Sequence, residues 1–444
     1  MLDRDRCYQL IDFVLSETGE HPARVMIMSQ AGELTRYANS EIHQNVAEDV
    51  TSVTITVTGE GKRSRLSTTV CDEEGLRAAA ADAVENLQYI PPGEEQPPPV
   101  TEPAEIVADH FDANLAADFQ VEERARILRE NLDVLGDDYL AYGKFSHKET
   151  RLAFGNSEGV RRFARNNQVD FSALVSGPGG TGYASTVSSR TDDLDVPGTF
   201  ARASEKARMN QDRQAVQPGR YTVILEPLAV SNILALMSLI GFSARMVQNR
   251  ASFLTGKMGE KVFDDRITVV DDHTDENTVS LPFDFEGYPR QKVTLVERGV
   301  VRGLVYDAAS AQRDGVESTG HSADMPGRGG IPLHLVMAGG SGDLEQMIAG
   351  TEDGLLITRF HYMNMVNPRE ALMTGLTRDG VFRITGGRIV GVVKNMRFTD
   401  SMLRAFSNVT GVTAERERTP FFFGNYCVPA VRIEGFHFTG TTDA

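Results

Sequence analysis

The sequence predicts an α+β protein, with N-terminal α/β domains followed by a large, mostly antiparallel β C-terminal domain. Three observations predict it. Helical and strand-like periodicities are interleaved over roughly the first half of the chain. A proline-rich stretch, Pro91 to Pro103, interrupts them. From Gly219 onward, one helix apart, segments alternate apolar and polar residues between glycine turns. With 444 residues, 41% of them apolar and 24% charged, the chain can bury a sizeable core without disulfides or metal.

The first domain is expected over residues 1–90. Arg4 to Glu17 has amphipathic helical spacing and stops at Gly19. "ARVMIMSQ", "GELTRYANSEIHQN" and "DVTSVTITVTGEGKRSRLSTTV" read as strands broken by Gly and Asn turns. "CDEEGLRAAAADAVENLQYI" reads as a helix with acids at its start. Residues 91–108 form a Pro-rich linker, extended and semi-rigid because prolines donate no backbone hydrogen bonds. A second α+β segment packing with the first is expected over 109–215. It contains the helix "VEERARILRENLDVLG", two strands flanking Asn156–Gly159, a Gly-rich loop and the helix "DVPGTFARASEKARMNQD". The C-terminal β-rich domain covers 216–444, with one buried helix at 227–241 following the strand "RYTVILEP". "VERGVV" and "TGGRIV" are hairpin signatures within it.

Formal charge is −17. Such a surface repels phosphate backbones and anionic lipid, so neither nucleic acid nor membrane is an expected partner. The densest basic run, "GKRSR" at Gly61–Arg65, reads as a solvated turn. Cys7, Cys71 and Cys427 are odd in number and far apart, which fits a reducing, cytoplasmic setting. The N-terminal stretch reads as a helix and not a signal peptide. The mid-chain apolar helix, about 14 residues, falls short of the roughly 20 needed to span a bilayer.

Several motifs invite chemistry. "GNSEG" at Gly155–Gly159 matches a nucleophile elbow, but a strand-like run follows where a helix is required, so a hairpin turn is the better reading. "GPGGTG" at Gly177–Gly182 matches a dinucleotide fingerprint, but the polar "YASTVSSRTDDLD" after it has no helical period, and a flexible loop is preferred. The nine histidines are scattered, none precedes a Glu, and no helix turn or hairpin announces a metal. Cys427 has His437 ten residues downstream, a spacing that neighbouring strands would bring together, although a packed core cysteine is the simpler reading. Two polar patches suit a peptide or a partner. One is the loop Ser318–Gly330, with His321, Asp324 and Arg328; the other is the strand face carrying Arg359 and His361.

"LTRYANSEIHQN", "GYASTVSSRTDDLD", "SFLTGKMGEKVFDDRITVVDD", "GLVYDAASAQRDGVESTGH" and "DGVFRITGGRIVGVVKNMRFTD" resemble, in order and over nearly the whole chain, the TldD/PmbA (TldE) family. That resemblance implies a two-subunit peptidase acting on short or unfolded peptides. The TldD-like partner carries zinc on a helical HExxxH motif with a cysteine near its C-terminus; the TldE-like subunit lacks the motif. Counted back from "SFLTGKMGE", the motif falls at Ala235–Ile240, where Ala235 and Ile240 replace the histidines and Leu236 the glutamate. Cys427 does not replace the ligand cysteine, because it lies beside "VPAVRI", whereas the family's cysteine precedes the corresponding strand. Ile233, Leu236, Met237 and Ile240, at i, i+3, i+4 and i+7, are expected on the packed face of this helix, with Leu234 and Leu239 extending the burial. The resemblance thus implies an inactive, metal-free subunit that completes the chamber and helps bind peptide, paired in a heterodimer with a zinc-bearing TldD-like subunit. The rival readings are a stand-alone hydrolase using Cys427 and a histidine, and a non-proteolytic scaffold or homodimer.

Overall fold

A computed structural model describes residues 1–93, 97–102, 105–325, 327–421 and 424–442. Helix α1 (Arg4–Glu17) begins where the Asp3 carboxylate accepts the Arg6 N–H, and it buries Cys7, Leu10, Ile11 and Val14 at helical spacing. Helix α2 (Glu73–Glu85) is capped in the same way by Asp72 and buries Leu76, Ala79, Ala80 and Ala83. Both helices cover one half of a mostly antiparallel sheet, over Val25, Ile27, Val53, Ile55 and Val57.

That sheet holds β1 (Ala23–Ala38), β2 (Glu41–Gly59), β3 (Lys62–Thr68), β4 (Ile106–His110), β5 (Leu140–Asn156), β6 (Arg161–Ser176) and β7 (Thr181–Ser188), in the order β3-β2-β1-β5-β6-β4, with β7 also on β6. Its other half is covered by α3 (Ala113–Asp118), α4 (Val121–Leu132) and α5 (Val196–Met209), over Tyr37, Phe145, Phe171 and Val175. β1 pairs directly with β5, from Arg24↔Asn156 to Tyr37↔Gly143, so the segments before and after the proline-rich stretch build one continuous sheet.

Three local expectations are corrected. The stretch read as linker up to residue 108 runs into β4, parallel to β6, because beyond Pro103 each residue again has an N–H for a ladder; residues 94–96 and 103–104 of the linker lie outside the described residues. Thr181–Ser188 is a strand and not a loop. Its Thr, Tyr and Val favour extended backbone, and its polarity marks a polar sheet face. The "GKRSR" run is not a solvated turn: it enters β3, and Arg63 and Arg65 are engaged in ion pairs. "GNSEG" is the expected hairpin turn between β5 and β6, with Ser157 Oγ 3.0 Å from the Ala23 N–H that donates to it.

The C-terminal strands are β8 (Gly219–Leu225), β9 (Val269–Asp271), β10 (Val293–Glu297), β11 (Val300–Val301), β12 (Leu335–Met337), β13 (Asp353–Asn367), β14 (Leu372–Thr385), β15 (Arg388–Val392), β16 (Met396–Ser401), β17 (Val409–Phe421) and β18 (Gly424–Thr441). Most pairings are antiparallel; β8–β13 and β12–β18 are parallel. β8 pairs with β13 on one side and with β18 on the other, so the path β8-β13-β14-β16-β18 closes on itself. The β10–β11 hairpin turns at Gly299, with φ +78°; a Cβ there would lie 2.2 Å from the Phe263 carbonyl oxygen, so no other residue fits.

Helix α6 (Pro227–Ile240) packs against β13, β17 and β18. Ala229, Val230, Ile233, Leu234 and Met237 are buried in the C-terminal core as expected of a structural helix, but Leu236, Leu239 and Ile240 are only half-buried. A helix apolar all round does not reveal its facing by periodicity. The facing is set by Ser231 and Ser238, which turn inward: Thr419 Oγ1 donates to Ser231 Oγ at 2.6 Å, and Tyr426 Oη lies 3.0 Å from Ser238 Oγ. Among the described residues, no helix is long and apolar enough to cross a membrane.

Candidate functional site

Along α6 the only polar side chains are Ser231, Asn232 and Ser238. Each is engaged internally, Asn232 by accepting the Phe360 N–H at 3.1 Å. Zinc needs imidazole, thiolate or carboxylate donors. Ala235, Leu236 and Ile240, which stand where the zinc motif is expected, supply none and form part of a half-exposed apolar face. This donor set does not fit zinc. Among the described residues, no three His, Cys, Asp or Glu side chains are gathered as a metal ion would require.

Part of the loop Ser318–Gly330 enters the core, whereas Met325, Gly327 and Arg328 stay exposed and residue 326 lies outside the described residues. His321 is fully buried, a correction to its expected place on a binding surface. Its Nε2 lies 3.0 Å from Asp271 Oδ1, and its Nδ1 is 2.7 Å from the Thr319 carbonyl oxygen. Asp271 Oδ2 accepts the His334 N–H at 2.8 Å, and the buried His334 ring comes within 3.7 Å of Asp271 Oδ1. Burial pushes the Asp271 carboxyl up, but His321 and His334 more than offset this and hold it well below the usual carboxylate range. Arg290, 5% exposed, donates from Nε to the Leu281 carbonyl within the same buried group. Nearer the surface, burial and the His334 and Arg290 charges push His273 down to about 4. Sequence reasoning missed Asp271, His273, Arg290 and His334 as a group; the one local signal was the "DDH" run at the end of a strand.

Asp324 faces the N-terminal sheet. It accepts from Arg24 Nη2 at 2.9 Å and Arg63 Nη2 at 2.5 Å, and Arg65 Nε is 3.3 Å away. Arg65 also donates to the Asp324 carbonyl at 2.9 Å. The Arg328 side chain is exposed, while its carbonyl accepts Ser243 Oγ. On the second patch, Arg359 Nε donates to Asp379 Oδ2 at 2.5 Å, and its guanidinium covers the Tyr183 ring at 4.2 Å. Thr181 Oγ1 donates to the other Asp379 oxygen at 2.6 Å, so β7 is tied to β14 through this carboxylate. His361 is half-buried beside Tyr362, and burial with the Arg378 and Arg359 charges lowers its pKa. The two patches are not brought together. One contacts β1 and β3 and the other β7, three to five inter-strand steps across the sheet, roughly 14–24 Å.

Cys427 and His437 are both on β18, ten positions apart along one strand and about 30 Å distant, instead of on neighbouring strands. Cys427 is buried, with its thiol pKa raised by that burial, and His437 Nδ1 faces the Thr399 carbonyl. No thiol–imidazole pair forms between them.

The fold therefore defines a two-sheet protein whose C-terminal strands close around a helix bare of metal-binding side chains. Residues 218–440 match the model of the PmbA/TldA metallopeptidase C-terminal domain, and the chain belongs to the PmbA/TldD family. An uncharacterised protein of Methanocaldococcus jannaschii is 34% identical over 175 residues, 37% of this chain and 41% of that protein. Metalloprotease PmbA of Escherichia coli O157:H7 is 24% identical over 306 residues, 66% of this chain and 64% of its own length. Both alignments span less than two thirds of those relatives. The fold is shared along the whole chain with TldE from Thermococcus kodakarensis, with TM-score 0.82, 19% identity and 98% and 100% of the two chains covered. A candidate modulator of DNA gyrase from Bacteroides thetaiotaomicron VPI-5482 is similar at TM-score 0.85 and 19% identity, over 99% and 100%.

Proposed function

We propose that this chain is the metal-free, TldE-like subunit of a cytoplasmic heterodimeric peptidase acting on short or unfolded peptides. Its zinc and general base reside in a TldD-like partner; this chain completes the chamber and helps hold the substrate. The observation that carries this reading is α6, whose Ala235, Leu236 and Ile240 offer hydrocarbon at the place where the family resemblance puts ligands. Separation of Cys427 from His437 along β18 argues against a thiol hydrolase built on that pair. Arg328 and His361, the exposed and half-exposed members of the two polar patches, are the proposed contacts to peptide or partner.

Co-expression with the TldD-like protein of the same genome tests this. The expected result is a complex with zinc in the partner alone, and peptide cleavage by the pair but not by this chain. Tight stoichiometric metal on the isolated chain, or turnover by it unaided, would overturn the reading.

A further inference from the structure

The Asp324 carboxylate sits among three guanidiniums, Arg24, Arg63 and Arg65, all from the N-terminal sheet. Glu286, 4% exposed, shares two of them, with Oε1 3.3 Å from Arg24 and 3.9 Å from Arg63. Beside this cluster lies a cavity of about 320 Å³ lined by Arg63, Arg65, Arg245, Glu286, Asp307 and Ser322. Arg24, Arg63 and Arg65 thus face the carboxylates of Asp324 and Glu286. With the Asp324 carboxylate elsewhere, Arg24 and Arg63 would keep Glu286, and Arg65 would lose its ion-pair partner among the described residues. Asp324 holds its position on left-handed backbone, φ +49°, which an L-residue adopts at a cost.

A side-chain carboxylate among guanidiniums is chemically equivalent to the end of a peptide, and Arg recognises both through the same paired N–H donors. We propose that this cluster is a carboxylate-binding site, self-occupied by Asp324, that takes the C-terminal carboxylate of a peptide in Asp324's place. The three arginines and the adjoining cavity suit a free peptide acid and not its amide, which cannot form charge-assisted bonds at both atoms. That the carboxylate belongs to a peptide rests on the peptidase reading; recognition of the carboxylate itself does not.

Calorimetric titration of the full chain with N-acetyl-trialanine, as free acid and as C-terminal amide, tests the site. Asp324→Asn removes the internal competitor, so the acid is expected to bind that variant about tenfold tighter than it binds the parent chain, with the amide binding neither. Adding Arg63→Gln and Arg65→Gln should abolish acid binding. Should Asp324→Asn not fold, the parent chain suffices: millimolar acid, and not amide, should raise its unfolding midpoint. Acid and amide behaving alike in the parent chain and in any folded variant would overturn the proposal and leave Asp324 as a fixed tie between the two halves. That failure would not touch the heterodimer, which co-purification tests separately.

Discussion

Asp271 Oδ1 and His321 Nε2 stand 3.0 Å apart with no solvent on either side chain. The other His321 nitrogen lies 2.7 Å from the Thr319 carbonyl oxygen and 2.9 Å from the Thr319 hydroxyl, which can donate to it when Nε2 carries the proton toward Asp271. Burial lowers the His321 pKa, and the Asp271 carboxylate offsets this only in part. The pair joins the end of β9 to the loop that carries Asp324.

Removing both members should cost less than the two single removals added together. His321→Ala leaves a buried carboxylate whose remaining hydrogen-bond donor among the described residues is the His334 N–H, and it is expected to lose about 3–5 kcal/mol of unfolding free energy in urea titrations. The double variant Asp271→Asn/His321→Asn should lose less than the sum of the two singles.

His273 makes stability pH-dependent. Its pKa is near 4 in the folded chain, against an ordinary value of 6.5. A lowered histidine pKa means that the unfolded chain binds the extra proton between those values. The contribution is complete above pH 6.5 and is lost as pH falls toward 4. Because the ring is partly exposed, the loss should be on the order of 1 kcal/mol. Chemical denaturation at stepped pH should show this slope, and His273→Gln should flatten it.

The two faces of α6 should respond unequally to truncation. Ile233→Ala opens a void in the core and should cost about 2–5 kcal/mol, whereas Leu239→Ala on the half-exposed face should cost roughly 1 kcal/mol or less. Equal losses in thermal or urea unfolding would contradict the helix facing described here.

Asp379 binds across the two sheets. Arg359→Ala leaves this carboxylate, 1% exposed on its side chain, with Thr181 and distant Arg378, and should destabilise by about 2–4 kcal/mol. Arg359→Lys should recover only part, because an ammonium can neither chelate as a fork nor stack on Tyr183. Unfolding midpoints of the two variants check the order.

Much of the fold was legible because its signals are local. Asp3 and Asp72 announce α1 and α2 by capping, and Gly299 and Gly386–Gly387 announce hairpins by their left-handed backbone. Of the candidate site, the sequence alone showed which side chains α6 carries, since their identity does not depend on how the helix is rotated. What could not be read was every relationship between distant segments. Arg63 in a basic run looks solvated until Asp324 is placed against it 261 positions later, and His321 looks like a loop residue until Asp271 meets it in the core. Polarity in a sequence reports what a side chain requires, and not whether water or another segment supplies it.

The ring of strands has a consequence for how the protein is made. β18 supplies both the partner of β8 and the neighbour of β16, yet its residues that pair with β8 come more than two hundred positions later in the chain. During synthesis the first sheet has all its strands once Ser188 has left the ribosome, whereas β8 and β16 each wait with one unpaired edge until residues 424–441 emerge. Nascent chains stalled before that point should carry a finished N-terminal half on an open, chaperone-dependent C-terminal one.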